Sequence, residues 1–64
     1  MNVEAVAERV RAEFEEMPGM TLTVAQASRL FGLEDDVCRS IVDQLVRAAY
    51  LRWTQNGSVV RANG

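Results

Sequence analysis

The chain has 64 residues, a formal net charge of −2, no histidine and a single cysteine. A chain of this length forms one domain and hides only about 60% of the surface that the unfolded chain exposes, so it has no room for a buried active-site cleft. We therefore do not expect an enzyme. We also expect no metal or other cofactor, because one cysteine without histidine cannot complete a zinc site.

The single cysteine also bears on the cellular compartment. Cys38 has no partner for an intramolecular disulfide, and its place among apolar residues indicates a core residue in a reduced protein rather than a reactive thiol. The sequence contains neither a signal peptide nor an apolar run of about 20 residues, the length that spans a bilayer. We therefore predict a cytoplasmic protein without a membrane partner.

The charges are unevenly distributed along the chain. Residues 1–17 carry five glutamates and two arginines, a local charge of −3, whereas residues 18–64 carry five arginines and four acids, a local charge of +1. The negative total argues against tight non-specific binding to a polyanion. All seven basic residues are arginines, which suits bidentate contacts to phosphate or carboxylate, although a GC-rich genome produces the same bias.

We predict the first helix over residues 2–17. Asn2 can cap its N-terminus, and Pro18 followed by Gly19 ends it. Apolar residues recur at steps of three and four and so line one face. These residues are Val3, Val6, Ala7, Val10, Phe14 and Met17.

A short strand within residues 20–23 leads into a predicted helix-turn-helix unit. Thr23 and Gln26 form a capping box that starts a helix over residues 24–31, and Gly32 can end this helix in the left-handed conformation. A third helix follows over about residues 35–49. The predicted buried residues of the two helices are Val24, Ala27, Leu30 and Phe31, and then Val37, Cys38, Ile41, Val42, Leu45, Ala48 and Ala49.

The chain ends in a predicted hairpin over residues 51–62. Asn56-Gly57 between alternating segments favours a two-residue type I′ loop. That loop places Arg52 opposite Arg61, and directly opposed residues share a face. The predicted helix-facing set is Leu51, Trp53, Val60 and Ala62, and the predicted solvent-facing set is Arg52, Thr54, Val59 and Arg61.

The order of these elements, with "LTVAQASRLFGLEDDVCRSIVDQLVRAAYLRW" and the later "VVR", resembles the small bacterial winged helix-turn-helix domains of transcriptional regulators. The resemblance covers about residues 20–62, and residues 2–17 fit the usual first helix. It implies a mainly α domain with a small β-hairpin, an α+β fold of three helices and a two- or three-stranded wing over residues 1–64. At position 49, between the third helix and the first strand of the hairpin, such domains often have glycine, whereas this chain has alanine. Because a left-handed alanine costs about 1–2 kcal/mol, we expect the third helix to run on into Tyr50 or to exit differently.

The resemblance also implies that the third helix enters the DNA major groove and that the wing contacts the backbone. In this chain Arg39 and Arg47 can read guanine and Gln44 can read adenine. The candidate nucleic-acid-binding residues are Arg39, Ser40, Gln44, Arg47, Arg52, Thr54, Asn56 and Arg61.

Each part of this candidate site has a simpler interpretation. Asp36 and Asp43 lie on the same helix face, and Arg39, Asp43 and Arg47 are spaced as a solvated ladder of i, i+4 pairs. The opposed wing arginines repel unless an anion lies between them, but paired arginines also discourage edge-to-edge aggregation of a sheet. For Trp53, its predicted pairing with a valine favours a core or half-buried role over stacking on a base or anchoring a partner.

Two classes of function are therefore open. One is a module that binds double-stranded DNA, as a monomer or a weak homodimer, with a role in transcription. The alternative is a winged-helix protein–protein interaction module that does not bind nucleic acid, because the acidic helices suit a basic partner. DNA binding through arginines weakens steeply with salt, whereas a largely apolar interface does not.

Overall fold

A computed structural model describes residues 2–62, which leaves residues 1, 63 and 64 of the predicted single domain outside the described range. The elements follow one another as α1, β1, α2, α3, β2 and β3. Their bounds are Val3–Glu16, Leu22–Thr23, Val24–Phe31, Asp35–Arg47, Leu51–Trp53 and Ser58–Arg61. The strands form one antiparallel sheet in the order β1-β3-β2. The molecule is a small α+β domain with a winged-helix-like layout.

Within residues 2–62, every helix is too short or too polar to cross a bilayer.

Side-chain caps define the starts of α1 and α2, as the sequence predicts. The Ala5 N–H donates to Asn2 Oδ1 at 3.2 Å. The Gln26 N–H donates to Thr23 Oγ1 at 3.1 Å, and the Thr23 N–H donates to Gln26 Oε1 at 2.9 Å, so the predicted capping box is complete. These bonds satisfy amides that the helices themselves leave without acceptors. At α3, Glu34 occupies the N-cap position without a side-chain cap bond.

The C-terminus of α3 differs from the prediction. Gly32 adopts the predicted left-handed conformation after α2, but Ala49 adopts it after α3 as well, with φ of +68°. The Ala49 N–H donates to the Val46 carbonyl at 3.0 Å, and the Tyr50 N–H donates to the Leu45 carbonyl at 2.9 Å. This pair of bonds is a Schellman motif, which satisfies terminal carbonyls and offsets the strain of a left-handed alanine.

The earlier end of α3 also changes which residues are buried. The helix stops at Arg47, two residues before the predicted 49, and both Ala48 and Ala49 are exposed rather than buried. The predicted continuation of the helix into Tyr50 is therefore wrong. Closing the Schellman bonds turns the chain out of the helix, so these two alanines leave the face that packs on the core.

The hydrophobic core lies between the three helices and one face of the sheet. Its buried residues are Val10, Phe14, Ala27, Phe31, Cys38, Ile41, Val42, Leu45, Leu51 and Val59. The free thiol of Cys38 is buried among them, as predicted.

Besides Ala48 and Ala49, three further residues predicted to be buried are exposed: Val3 by 42%, Met17 by 59% and Leu30 by 51%. Val3 and Met17 lie at the two ends of α1, and a helical period predicts a face without predicting how far along the axis the partner elements reach. Leu30 lies well off the centre of the buried face of α2, because each helical residue advances by about 100°.

The hairpin has a different register from the predicted one. β2 pairs with β3 through Leu51 with Arg61, Arg52 with Val60 and Trp53 with Val59, a shift of one residue. The reason is a three-residue loop, residues 55–57. The Gly57 N–H donates to the Thr54 carbonyl at 3.2 Å, and Gly57 has φ of +83°.

This loop is a type I turn followed by a left-handed glycine rather than a type I′ turn, which would also need positive φ at Asn56. A one-residue shift moves every side chain of a strand to the other face. Val59, predicted to face solvent, is therefore completely buried beside Leu22 and Trp53, whereas Val60 pairs with Arg52 on the outer face. Burial of a valine contributes roughly 1.5–3 kcal/mol, which favours the observed register.

Candidate nucleic-acid interface

The solvent-facing side of α3 presents the predicted polar residues. The opposite side of the helix is buried in the core and consists of Cys38, Ile41, Val42 and Leu45. Four side chains predicted to contact nucleic acid are exposed along the outer side: Arg39, Ser40, Gln44 and Arg47. We call this set the α3 face. Helical spacing alone therefore placed these four residues correctly on one surface.

The predicted arginine ladder along α3 does not form. In the part of the chain that the structure describes, no ion pair links Asp43 to Arg39 or to Arg47. Asp43 instead accepts a hydrogen bond from Trp53 Nε1 at 3.2 Å, which joins α3 to β2. The Arg39 guanidinium lies 5.7 Å from the centroid of the Trp53 ring, within range of a cation–π interaction.

Trp53 is half-buried, which confirms the expected packing role. Its indole N–H has an acceptor, as a partly buried tryptophan requires, and the contact holds the wing against α3. The sequence offered no signal for the contact with Asp43, since the two residues are ten positions apart and belong to different elements. The left-handed conformation of Ala49 turns the chain from α3 into β2, and this turn brings Trp53 next to Asp43.

Two acids near the α3 face, Asp36 and Asp43, have local partners. Asp36 Oδ1 accepts the Val37 N–H at 2.9 Å in the first turn of α3, where the helix dipole favours a negative charge. Asp43 is held by the Trp53 indole. Glu34 and Asp35 are exposed at the start of the same helix, and among residues 2–62 neither these acids nor the arginines of the α3 face form an ion pair.

The turn of the β2–β3 hairpin, residues 54–58, engages the side chains of Thr54 and Asn56, two of the residues predicted to bind nucleic acid. The Thr54 hydroxyl donates to Asn56 Oδ1 and accepts the Ser58 N–H at 3.1 Å. The Gly57 N–H donates to the Thr54 carbonyl. These bonds stabilise the turn. Arg52, which is exposed on the outer face of β2, is the wing residue best able to reach a ligand.

The predicted pairing of Arg52 with Arg61 is wrong, and both the anion-binding and the aggregation-resistance interpretations depended on it. Arg61 pairs with Leu51 rather than with Arg52, so the two arginines lie on opposite faces of the hairpin. Arg61 is at the open end of the hairpin, where it lines a pocket together with residues of α1. The register shift therefore separates it from the candidate interface on α3 and the wing.

Comparison with protein-family models, with curated proteins and with solved structures finds no match for this chain. The likeness to a winged helix consequently depends on the order of the elements, the β1-β3-β2 sheet and the residues of the helix-turn-helix unit.

Proposed function

We propose that the domain binds double-stranded DNA, with α3 in the major groove and Arg52 of the wing against the phosphate backbone. The observation that supports this proposal best is the hydrogen bond from Trp53 to Asp43, which draws the carboxylate located between Arg39 and Arg47 in the sequence of α3 toward the wing. The neighbouring exposed side chains on the α3 face are arginine, serine and glutamine, all of which can bind nucleic acid.

The chemistry of these side chains matches base edges. The major groove, about 12 Å wide, admits an α-helix. Arg39 and Arg47 can each donate two hydrogen bonds to a guanine, and Gln44 can exchange two with an adenine. Each such pair contributes roughly 1–3 kcal/mol of discrimination against the wrong base. Ser40 is suited to a phosphate oxygen.

The contact between Arg39 and Trp53 suits the same role. An arginine held near an aromatic ring loses less conformational freedom when it binds than a freely moving one. Because the other face of Trp53 packs toward the core, the ring positions Arg39 and does not itself need to stack on a base.

The affinity expected of one domain is low. Three arginines would meet the DNA, and the chain as a whole carries a charge of −2. A weak homodimer on DNA would double the contacts, with the two third helices spaced about 34–36 Å apart. We extend the proposal to a cytoplasmic role in transcription regulation in a bacterium.

The first test is an amide-shift NMR titration with a mixed-sequence DNA duplex at low salt, repeated at higher salt. We expect shifts at Arg39, Ser40, Gln44, Arg47 and Arg52. The logarithm of the association constant should fall with the logarithm of salt concentration, since each phosphate neutralised contributes about −0.9 to the slope. The slope should be about −1 if Arg52 alone neutralises a phosphate and about −3 if Arg39 and Arg47 also lie close to phosphates.

A charge-matched pair of variants makes the test specific. Arg47→Gln removes one charge from the α3 face, and Arg9→Gln removes one from α1, where Arg9 is exposed and lies 5.6 Å from the centroid of the Phe31 ring. We expect the first variant to weaken DNA binding and the second to leave it nearly unchanged. Equal weakening by both would indicate a general charge effect and refute a specific role for α3.

The second candidate function is binding to a basic protein partner through α1. Glu4, Glu8, Glu15 and Glu16 are exposed on this helix. A partner of that kind would shift amides of α1 and leave the α3 face unaffected. The same NMR titration, repeated with a basic peptide in place of DNA, therefore separates the two candidates by the residues that respond.

A further inference from the structure

A pocket of about 150 Å³ lies between α1 and the open end of the hairpin, away from the wing turn. Buried Phe14 and Leu51 form its apolar floor. Its other lining residues carry polar or charged groups: Arg11 and Glu15 from α1, Tyr50 before β2, and Arg61 from β3. We call it the α1–hairpin pocket. It shares no residue with the α3 face.

Two arginines, Arg11 and Arg61, line this pocket. The Arg11 guanidinium lies 4.0 Å from the centroid of the Tyr50 ring, and this stacking holds its planar group against the pocket wall. Its Nε lies 3.4 Å from Glu15 Oε2, an ion pair that lacks hydrogen-bond geometry, and this nitrogen is shielded from solvent without an acceptor. Arg61, the last residue of β3, also lines the pocket.

The charges of the pocket select for a single negative charge. Arg11 and Arg61 together contribute +2 and Glu15 contributes −1, so the lining residues carry a net charge of +1. Two like charges in one small pocket repel, and a bound anion would remove that repulsion. The glutamate at the wall disfavours a second negative charge, which makes a doubly charged phosphate a poorer match than a carboxylate.

We propose that the α1–hairpin pocket binds a carboxylate attached to an apolar group, with the carboxylate between Arg11 and Arg61 and the apolar part against Phe14 and Leu51. Guanidinium groups bind carboxylates in a planar, bidentate geometry. The apolar floor supplies the contact area that most small-ligand sites use, and Tyr50, a partly exposed lining residue, carries a hydroxyl that can form hydrogen bonds. A small carboxylic acid and the C-terminal carboxylate of a peptide share this chemistry.

The proposal is tested by amide-shift NMR titration with benzoate, with benzamide as its uncharged counterpart and with inorganic phosphate. We expect benzoate to produce saturable shifts at Arg11, Tyr50 and Arg61 with a dissociation constant of about 1–10 mM, as is usual for a ligand of its size. Benzamide and phosphate should bind more weakly. Equal responses to benzoate and benzamide, or tighter binding of phosphate, would overturn the proposal.

Matched arginine variants show whether the pocket is the site. Arg61→Gln should weaken benzoate binding at least about threefold, whereas Arg52→Gln, which removes the same charge from the other face of the hairpin, should not change it. Arg61→Lys, which keeps the charge without the planar fork, should give an intermediate affinity and remains informative if Arg61→Gln fails to fold. Equal effects of Arg61→Gln and Arg52→Gln would refute a role for the pocket.

Glu15→Gln provides a result that a purely structural role for these residues would not produce. Removing the competing carboxylate should strengthen benzoate binding about two- to threefold. Weaker or unchanged binding would contradict the charge argument.

Two forms of one tripeptide identify the source of the carboxylate. Gly-Gly-Phe with a free C-terminus should bind the pocket more tightly than its amidated form if the site takes peptide ends. If benzoate binds and both tripeptide forms fail to bind, the site takes small acids.

Discussion

Replacing Ala49 with glycine should stabilise this domain, although most substitutions destabilise a protein. Ala49 has φ of +68°, a conformation that costs alanine about 1–2 kcal/mol and costs glycine almost nothing. Glycine also gains freedom in the unfolded chain, which lowers the stability by about 0.4–1 kcal/mol. The two effects leave a net gain of about 0.5–1 kcal/mol. Because Ala49 is exposed, little packing is lost.

The neighbouring alanine is a matched control. Ala48 is also exposed but has φ of −83°, so Ala48→Gly carries the cost in the unfolded chain without any relief of strain. Both substitutions give the unfolded chain the same extra conformational freedom, so this effect cancels when the two variants are compared. The difference in their free energies of unfolding should therefore equal the cost of a left-handed alanine, about 1–2 kcal/mol.

Thermal and urea unfolding followed by circular dichroism measures this difference. For a domain of this size, a gain of 0.5–1 kcal/mol should raise the midpoint temperature of Ala49→Gly by about 2–8 °C, and that of Ala48→Gly should fall. If Ala49→Gly were no more stable than Ala48→Gly, Ala49 would not have positive φ in solution. The third helix would then continue into Tyr50 or end in another geometry, as the sequence suggested.

Three further predictions test the core, the register and the link between α3 and the wing. Leu45→Ala should cost about 2–5 kcal/mol and unfold so small a domain, and a variant that melted like the parent would contradict the burial of this residue. Val59→Ala should lower the free energy of unfolding by clearly more than Val60→Ala, because only the first valine is fully buried; the reverse order would support the two-residue loop. A double-mutant cycle of Asp43→Asn and Trp53→Phe should yield a coupling energy of about 0.5–1.5 kcal/mol in urea unfolding, and a coupling of zero would mean that the indole bond is not formed.

The cluster of Arg39, Asp43 and Trp53 connects the fold to the proposed function. The indole bond holds Asp43 away from the proposed DNA site, and Trp53→Phe removes this bond. The carboxylate is then released beside the arginines of α3, so the loss in the free energy of DNA binding should exceed the loss in the free energy of unfolding. The NMR titration described above measures this effect directly.

Local signals in the sequence determined most of the helical structure. The bounds of α2, its capping box and the left-handed Gly32 were all predicted correctly, because each depends on residues within one or two turns of the helix. The exposed positions of the α3 face followed from helical spacing for the same reason. The order of three helices and a terminal hairpin was also readable from the apolar patterns.

Only the tertiary structure decided the end of α3, the register of the hairpin and the positions of the wing arginines. The sequence is compatible with a two-residue loop at residues 56–57 and with a three-residue loop at residues 55–57. The pattern of side chains along the strands did not show whether Val59 or Val60 is the core residue. The core made that choice, since burying Val59 against the helices stabilises one register over the other. The same one-residue shift separated Arg61 from Arg52 and placed it beside Arg11, because changing the register of a strand exchanges its two faces.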